Sequence, residues 1–371
     1  MNKKILSVLT AFCLLLFHEG FRGETRAQNI DLIKIGDNFP QVPLIAPKDM
    51  AARRYLALPE TMSFALNEIK ADLVLVEILS VHCPSCQRQA PVYNKLYELI
   101  EKDANSRGRI KMIGIAVGNS SREVKAFMER YEVRFPIIAD PEFLMHRAIG
   151  GSRTPFAIYV RQDPSSGAGI VAGTHLGPNR KYKRLLKKLK KLMNRDLAAL
   201  RQEGRKTSGK RAAVKPILSG TELVQSVKNA FATSPDDITN FQQVFFKNGR
   251  KVYTGLVREN GSDQRLFAEV VSRPPTCDVC HDIHFIYVFD RTGKLLAFVP
   301  LQLTKWGNKV WTEKDVATMR RQIVGKTITE PLIFNPAVDA ISRATITSSI
   351  IYDSLSQGQA LLERLKEKGF I

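Results

Sequence analysis

The sequence predicts an α/β domain, then a basic helix and linker, then an α+β domain. Three observations carry that expectation. Short, nearly all-apolar runs alternate with helical periodicity over the first half of the chain, as in an α/β domain built on a central sheet. Basic residues concentrate in one mid-chain stretch: 178–215 holds 15 Lys and Arg against 2 Asp and Glu, which is +13 of the net +20. Beyond it, short strand-like runs are punctuated by Gly249, Gly261 and Gly293, the pattern of turn-linked strands. A length of 371 residues with 44% hydrophobic and 25% charged residues suits two or three globular domains. It excludes a wholly disordered chain and a disulfide-dense mini-protein. With most of its positive charge in one segment and the rest only mildly basic, the protein is not expected to bind nucleic acid.

Residues 1–27 read as a secretory signal. Lys3 and Lys4 precede an apolar run, Ile5 to Phe17, that is too short to span a bilayer as a helix. Thr25-Arg26-Ala27 offers a cleavage site, and Cys13 and His18 leave with the signal. The other reading is an uncleaved anchor against the membrane. The expected location is therefore periplasmic, or membrane-associated and extracytoplasmic. Four cysteines remain, as two Cys-x-x-Cys pairs: Cys83 with Cys86 and Cys277 with Cys280. In an exported protein such pairs point to disulfide redox chemistry, haem attachment or, less often, metal.

Residues 28–178 form the α/β domain. Leu73 to Leu79 and Ile110 to Val117 are expected buried strands, and Phe156 to Val160 a third. Ile170 to His175 closes a hairpin across the Gly/Ser-rich turn at 164–169. Helices are expected over 83–102 and 123–131; in the second, Val124, Phe127, Met128 and Tyr131 share helical spacing.

Cys83-Pro84-Ser85-Cys86 follows a buried strand and opens a helix. Unpaired N–H groups and the helix dipole at such a terminus favour a thiolate, which is the reactive form. The spacing puts the second sulfur within disulfide reach. Cys83 is expected to attack a partner disulfide and Cys86 to resolve the mixed disulfide, or the reverse. A protonated His82 beside Cys83 would favour the thiolate further.

In this context the sequence resembles the exported TlpA-like thioredoxins over about Gly36 to Gly177. The likeness rests on Gly36-Asp37-Asn38-Phe39-Pro40, on Cys83 to Cys86 after a strand, and on Pro91. It continues in Phe135-Pro136-Ile137-Ile138-Ala139-Asp140-Pro141 and in Thr154-Pro155 before a strand. The resemblance implies a thioredoxin-like fold, an exposed Cys83 as nucleophile, and a protein thiol or disulfide as partner. It also implies that Pro155 is a cis proline, packed with Thr154 beside the disulfide, where the partner chain binds. Trp is usual in that family where His82 stands, and an acidic residue near Gln89. The plainer alternative is a structural disulfide on a thioredoxin fold that has lost its activity. No cysteine is set for peroxidase chemistry.

Residues 179–215 read as a basic amphipathic helix over 181–200 and a linker from 201. Leu186, Leu189, Met193, Leu197 and Leu200 make one apolar stripe. The plainer reading is a docked terminal helix with a solvated basic face. The other is contact with an anionic membrane surface or an acidic partner.

Residues 216–371 form the α+β domain. Strands are expected at 244–246, 252–257, 267–271, 285–289 and 295–299, with helices at 313–323 and 348–366. Cys277-Asp278-Val279-Cys280-His281 fits the c-type haem pattern, with His281 as the iron ligand. A disulfide, structural or exchanging with the first pair, is preferred to haem, and haem to metal. Asp339 to Ser348 resembles the flavin-attachment motif of exported FMN-binding domains. That resemblance implies Thr345 as the acceptor and Ser342 as a binding residue, with Arg343 where the motif carries Gly. The plainer role for Ser342 or Thr345 is a helix cap, and for Trp306 and Trp311 packing rather than flavin stacking. The thioredoxin-like domain requires no cofactor. His146 and His175 show no metal spacing, and no metal is expected. The function expected is an exported thiol–disulfide oxidoreductase exchanging disulfides with a protein partner. The alternative is an electron-transfer protein with flavin or haem in the C-terminal domain.

Overall fold

The computed structural model describes residues 32–371 apart from 166, 207–213, 215–216, 232–236, 247–248, 260 and 278–279. The expected signal segment and most of the expected linker lie outside the described residues.

Apart from a short antiparallel pair formed by Leu44–Ile45 with Ser63–Phe64, the first domain begins with α1 (Met50–Leu56), β1 (Leu73–Leu79), α2 (Pro84–Lys102) and β2 (Ile110–Val117). It continues through α3 (Ser121–Arg130), β3 (Ile137–Asp140), α4 (Leu144–Ala148), β4 (Phe156–Asp163) and β5 (Ala168–Leu176). The sheet order is β3-β2-β1-β4-β5; β1 and β3 flank β2 in parallel, and β4 and β5 are antiparallel. β1 is central and every residue in it is buried, which is why its sequence is a continuous apolar run rather than an alternation. Leu73, Leu75 and Leu79 face the core under α2, while Val74, Val76 and Ile78 face the opposite core. Glu77 shares the α2 face by the two-residue period of a strand.

α2 starts because Pro84 sits in its first turn, where a missing N–H costs nothing. α3 is fixed by a capping box: Glu123 N bonds to Ser120 Oγ at 3.3 Å, and Glu123 Oε2 accepts from Ser120 N at 2.8 Å.

The basic segment folds as two helices, not one over 181–200: α5 (Tyr182–Met193) and α6 (Leu197–Lys206). The break falls at 194–196, and α6 runs through residues expected as linker. The buried face of α5 is Leu185, Leu189, Leu192 and Met193, joined by Leu200 of α6. It packs in the core that α2 covers, so the apolar stripe is consumed by the domain itself. Leu186 and Leu197 are only partly buried. Gly36 and Gly204 meet backbone to backbone; a Cβ on Gly204 would lie 2.7 Å from the Ile35 carbonyl oxygen.

The second domain begins with α7 (Gly220–Phe231), unforeseen from the sequence. An antiparallel sheet follows: β6 (Ile238–Phe245), β7 (Lys251–Glu259), β8 (Ser262–Arg273), β9 (Ile283–Asp290) and β10 (Leu295–Gln302), in the order β10-β9-β8-β7-β6. α8 (Glu313–Ile323), α9 (Thr345–Ser356) and α10 (Gly358–Glu367) complete it. The helix expected at 348–366 is divided at Gln357, which ends α9 and opens α10; at the next position a Cβ on Gly358 would lie 2.4 Å from Ile328.

The two domains share one continuous apolar cluster that includes Met145 and Ile149 on one side and Ile341 and Ile350 on the other. Asp353 of α9, itself buried, takes hydrogen bonds from Arg147 of α4 and Arg273 of β8. One carboxylate thus ties both domains.

Candidate active site

β1 ends at Leu79 and the chain turns through 80–82 into α2. Val81 N donates to Asn119 Oδ1 at 3.0 Å, and Cys83 N to the Ser80 carbonyl at 3.0 Å, which fixes the turn. Cys83 is the N-cap residue of α2, with extended backbone, and Cys86 lies in the first turn. Both are thiols here, as are Cys277 and Cys280.

Cys83 is 0% exposed. That overturns the expectation of an exposed nucleophile. The cover is the segment that follows β8. Thr154 N donates to the Thr276 carbonyl at 2.6 Å, Thr154 Oγ1 donates to the same oxygen, and Thr154 and Cys277 form a parallel β-bridge. The Thr154–Pro155 peptide is cis. The Cys83 thiol donates to the Thr154 carbonyl at 3.5 Å and hydrogen-bonds with Cys277, which is 1% exposed. Cys277 also hydrogen-bonds with Cys280, whose N–H reaches the Cys277 carbonyl at 3.4 Å. Arg153 and Asp282 pair at 3.0 Å beside this contact. The structure therefore brings the two Cys-x-x-Cys pairs into one site.

Three of the sulfurs, Cys83, Cys86 and Cys277, are shifted in acidity. Hydrogen bonding from Cys277, then from Cys86, holds the Cys83 thiol well below its ordinary range, against the opposing effect of burial. Burial pushes Cys86 well above it, reinforced by Cys83 and by the nearby Glu77 carboxylate. Cys277 is raised too, chiefly by its bonds to Cys280 and Cys83. The thiol most readily ionised is thus Cys83, with Cys86 and Cys277 held against ionisation around it.

His82 plays a different part from the one expected. Its Nε2 lies 2.7 Å from Glu123 Oε1, the same carboxylate that caps α3. Burial works to raise Glu123, but the hydrogen bonds from His82 and Ser120 outweigh it and its pKa is lowered. His82 thus ties the active-site turn to α3, with its ring nitrogen engaged by Glu123.

The sequence reading missed Glu77, although one carboxylate inside a seven-residue apolar strand was the signal. Glu77 is 3% exposed, and burial pushes its pKa up to about 8, against a 2.6 Å hydrogen bond from Gln89 Nε2. Gln89 in turn accepts from Asn179 N at 2.5 Å, and Asn179 Nδ2 donates to the Tyr93 hydroxyl at 3.0 Å. A carboxyl that is mostly protonated at neutral pH, beside Cys86, can exchange a proton with it.

A porphyrin does not fit this arrangement. A thioether at Cys277 would place the ring edge in volume held by Cys83 and Thr154. His281 is exposed, and His284 is buried on β9, 3.0 Å from Ser272 Oγ. In the flavin-like motif Ser342 and Arg343 are exposed and Thr345 is half-buried. Arg343 has φ 62°, the left-handed turn that suits glycine at this place in the motif. Neither Ser342 nor Thr345 caps α9: the cap residue is Ala344, and Ser348 Oγ accepts from Ile341 N at 3.0 Å. Trp311 is a core side chain donating to the Thr304 carbonyl at 3.2 Å, whereas Trp306 is exposed.

Residues 48–169 match the AhpC/TSA family. The chain is 25% identical over 118 residues to a thiol-disulfide oxidoreductase ResA from Halalkalibacterium halodurans, covering 32% of this chain and 61% of that one. It is 26% identical over 109 residues to a ResA from Geobacillus thermodenitrificans, covering 29% and 59%. The chain thus spans about three-fifths of the length of these relatives. A structure described as a putative thiol:disulfide interchange protein DsbE from Chlorobium tepidum is similar over 44% of this chain and 100% of that one. Its identity is 16% and its TM-score 0.34. Residues 48–169, which hold Glu77, Cys83, Cys86, Thr154 and Pro155, match the AhpC/TSA family and fold as a thioredoxin-like α/β domain.

Proposed function

We propose that the protein is an exported thiol–disulfide oxidoreductase that exchanges disulfides with a protein partner through Cys83 and Cys86. The observation that carries this is the placement of Cys83 at the N-terminus of α2, with Cys86 in the first turn and Glu77 beneath it. A thiolate there is stabilised by helix N–H groups and by bonds from its neighbours, and the thiolate is the attacking form. The similarity to thiol-disulfide oxidoreductases named ResA supports the reaction class.

In the reducing direction Cys83 Sγ attacks one sulfur of the partner's disulfide. The Cys83–partner bond forms, the partner's S–S bond breaks, and one partner thiolate leaves. Cys86 then gives its proton to ionised Glu77 and attacks Cys83 Sγ. The Cys83–Cys86 bond forms, and the second partner sulfur leaves. The oxidising direction is the reverse of these steps.

Export is supported by the basic residues and short apolar run at 3–17. Among the described residues no helix is long and apolar enough to cross a membrane. The chemistry is assigned to cysteines alone. A flavin or Soret band in protein exported from a host with both attachment machineries would contradict that assignment.

The direct test is mixed-disulfide trapping. Cys86→Ser should accumulate a Cys83-linked partner or model peptide, and Cys83→Ser should abolish exchange. Full exchange by Cys83→Ser would refute the proposal.

A further inference from the structure

We propose that Cys277–Cys280 is the built-in exchange partner of Cys83–Cys86, so that disulfides pass between the two domains within one chain. This rests on the oxidoreductase reading of Cys83 and Cys86. Three separate features of the structure converge on it. The Cys83 and Cys277 sulfurs are in hydrogen-bond contact, and both are fully buried. The backbone of Thr154 pairs with Thr276 and Cys277, which holds Cys277 in register over Cys83. Paired charges join the two domains: Arg153 with Asp282 next to Thr154, and Asp353 with Arg147 and Arg273 elsewhere on the interface.

The two sulfurs of the second pair are not equivalent. Cys277 faces Cys83, whereas Cys280 is partly exposed and lines an open pocket with Arg153, His281 and His284. When Cys277 and Cys280 are joined, the sulfur within reach of the Cys83 thiolate is Cys277. The sulfur that leaves is Cys280, whose developing charge meets solvent. The Cys83–Cys277 bond forms as the Cys277–Cys280 bond breaks, and Cys280 departs as a thiolate that takes a proton from water. Cys86 then loses a proton and attacks Cys83; the Cys83–Cys86 bond forms and Cys277 leaves, regaining a proton. The first pair is oxidised and the second reduced, with no other oxidant. The reverse sequence carries electrons the other way. In this closed arrangement external thiols or disulfides reach the relay at Cys280, and a partner meets Cys83 directly only once the cover at 274–277 is displaced.

The test uses the full chain, equilibrated with a limiting amount of oxidised glutathione, alkylated at intervals and mapped by mass spectrometry. Both pairs should share the oxidising equivalents. Their equilibration rate should be unchanged over a tenfold range of protein concentration, as for an intramolecular step, where a bimolecular one would speed up roughly tenfold. The Cys86→Ser/Cys280→Ser double variant should then yield a monomer with Cys83 linked to Cys277. If Cys83 and Cys86 form a reversible disulfide but equivalents never reach Cys277 and Cys280, or do so in proportion to concentration, the relay is refuted and the oxidoreductase reading stands. If Cys83 and Cys86 never cycle, the reading beneath it fails.

Discussion

Replacing Glu77 by Gln isolates the energetic cost of a buried acid behind the redox pair. The side chain keeps its shape, and its amide oxygen can still accept from Gln89 Nε2, now at 2.6 Å from Glu77 Oε1. Burial raises the Glu77 pKa from 4.5 to about 8. The folded protein therefore binds this proton more tightly than the unfolded chain. Stability from the protonated form is complete below pH 4.5 and is lost as the pH rises toward 8. At pH 7 the difference is worth about 3 kcal/mol, and above pH 8 about 5 kcal/mol, at about 1.4 kcal/mol for each tenfold change in the constant. Glu77→Gln should be as stable as the parent at pH 4.5, and more stable by about those amounts at pH 7 and pH 9. Urea unfolding of both proteins under reducing conditions across that range measures the difference, since all other titrating groups are shared. A gap that stays constant with pH, or a variant that is less stable at pH 8, would refute the burial argument. The same change should slow the release of partner by Cys86, which loses its proton acceptor.

Other substitutions follow the same geometry. Asp353→Ala leaves Arg147 and Arg273 without their shared carboxylate and should cost about 3–5 kcal/mol in urea unfolding. It should also speed alkylation of Cys83 in the folded protein; a cost below about 1 kcal/mol with no change in alkylation would contradict the clamp. His82→Ala should leave the pH profile of Cys83 alkylation within about one pH unit of the parent, because its ring is engaged by Glu123. A larger displacement would restore His82 as the thiolate's partner. Leu189→Ala should cost about 2–5 kcal/mol, since Leu189 is wholly buried between α5 and the sheet domain. Exposed Lys187→Ala should cost almost nothing, and equal costs for the two would overturn the docking of α5.

The parts of the fold that were legible are those where local pattern and burial agree. Leu73–Leu79, Ile110–Val117 and Glu313–Ile323 fall where apolar runs or helical spacing place them, because each run is buried along its length or on one face. The basic segment misled because the periodicity of its leucines continues through 194–196, where the backbone breaks. The stripe itself was real, but its centre lies at Leu185, Leu189 and Leu192. At the site, the helix-opening pair was legible from strand, spacing and proline. The burial of Cys83 was not, because the residues that cover it lie in another domain, far along the chain. Glu77 was visible as an isolated acid in an apolar strand. Its link to Cys86 needed the register of the strand against α2.

The most direct test of the central claim is a glutathione redox titration of the full chain, with every thiol alkylated and located by mass. A Cys83–Cys86 disulfide should form and break reversibly as the glutathione ratio changes, and Cys86→Ser should leave Cys83 as the cysteine caught in mixed disulfide. A Cys83–Cys86 pair that stays joined at every ratio, or that never joins, would contradict the account.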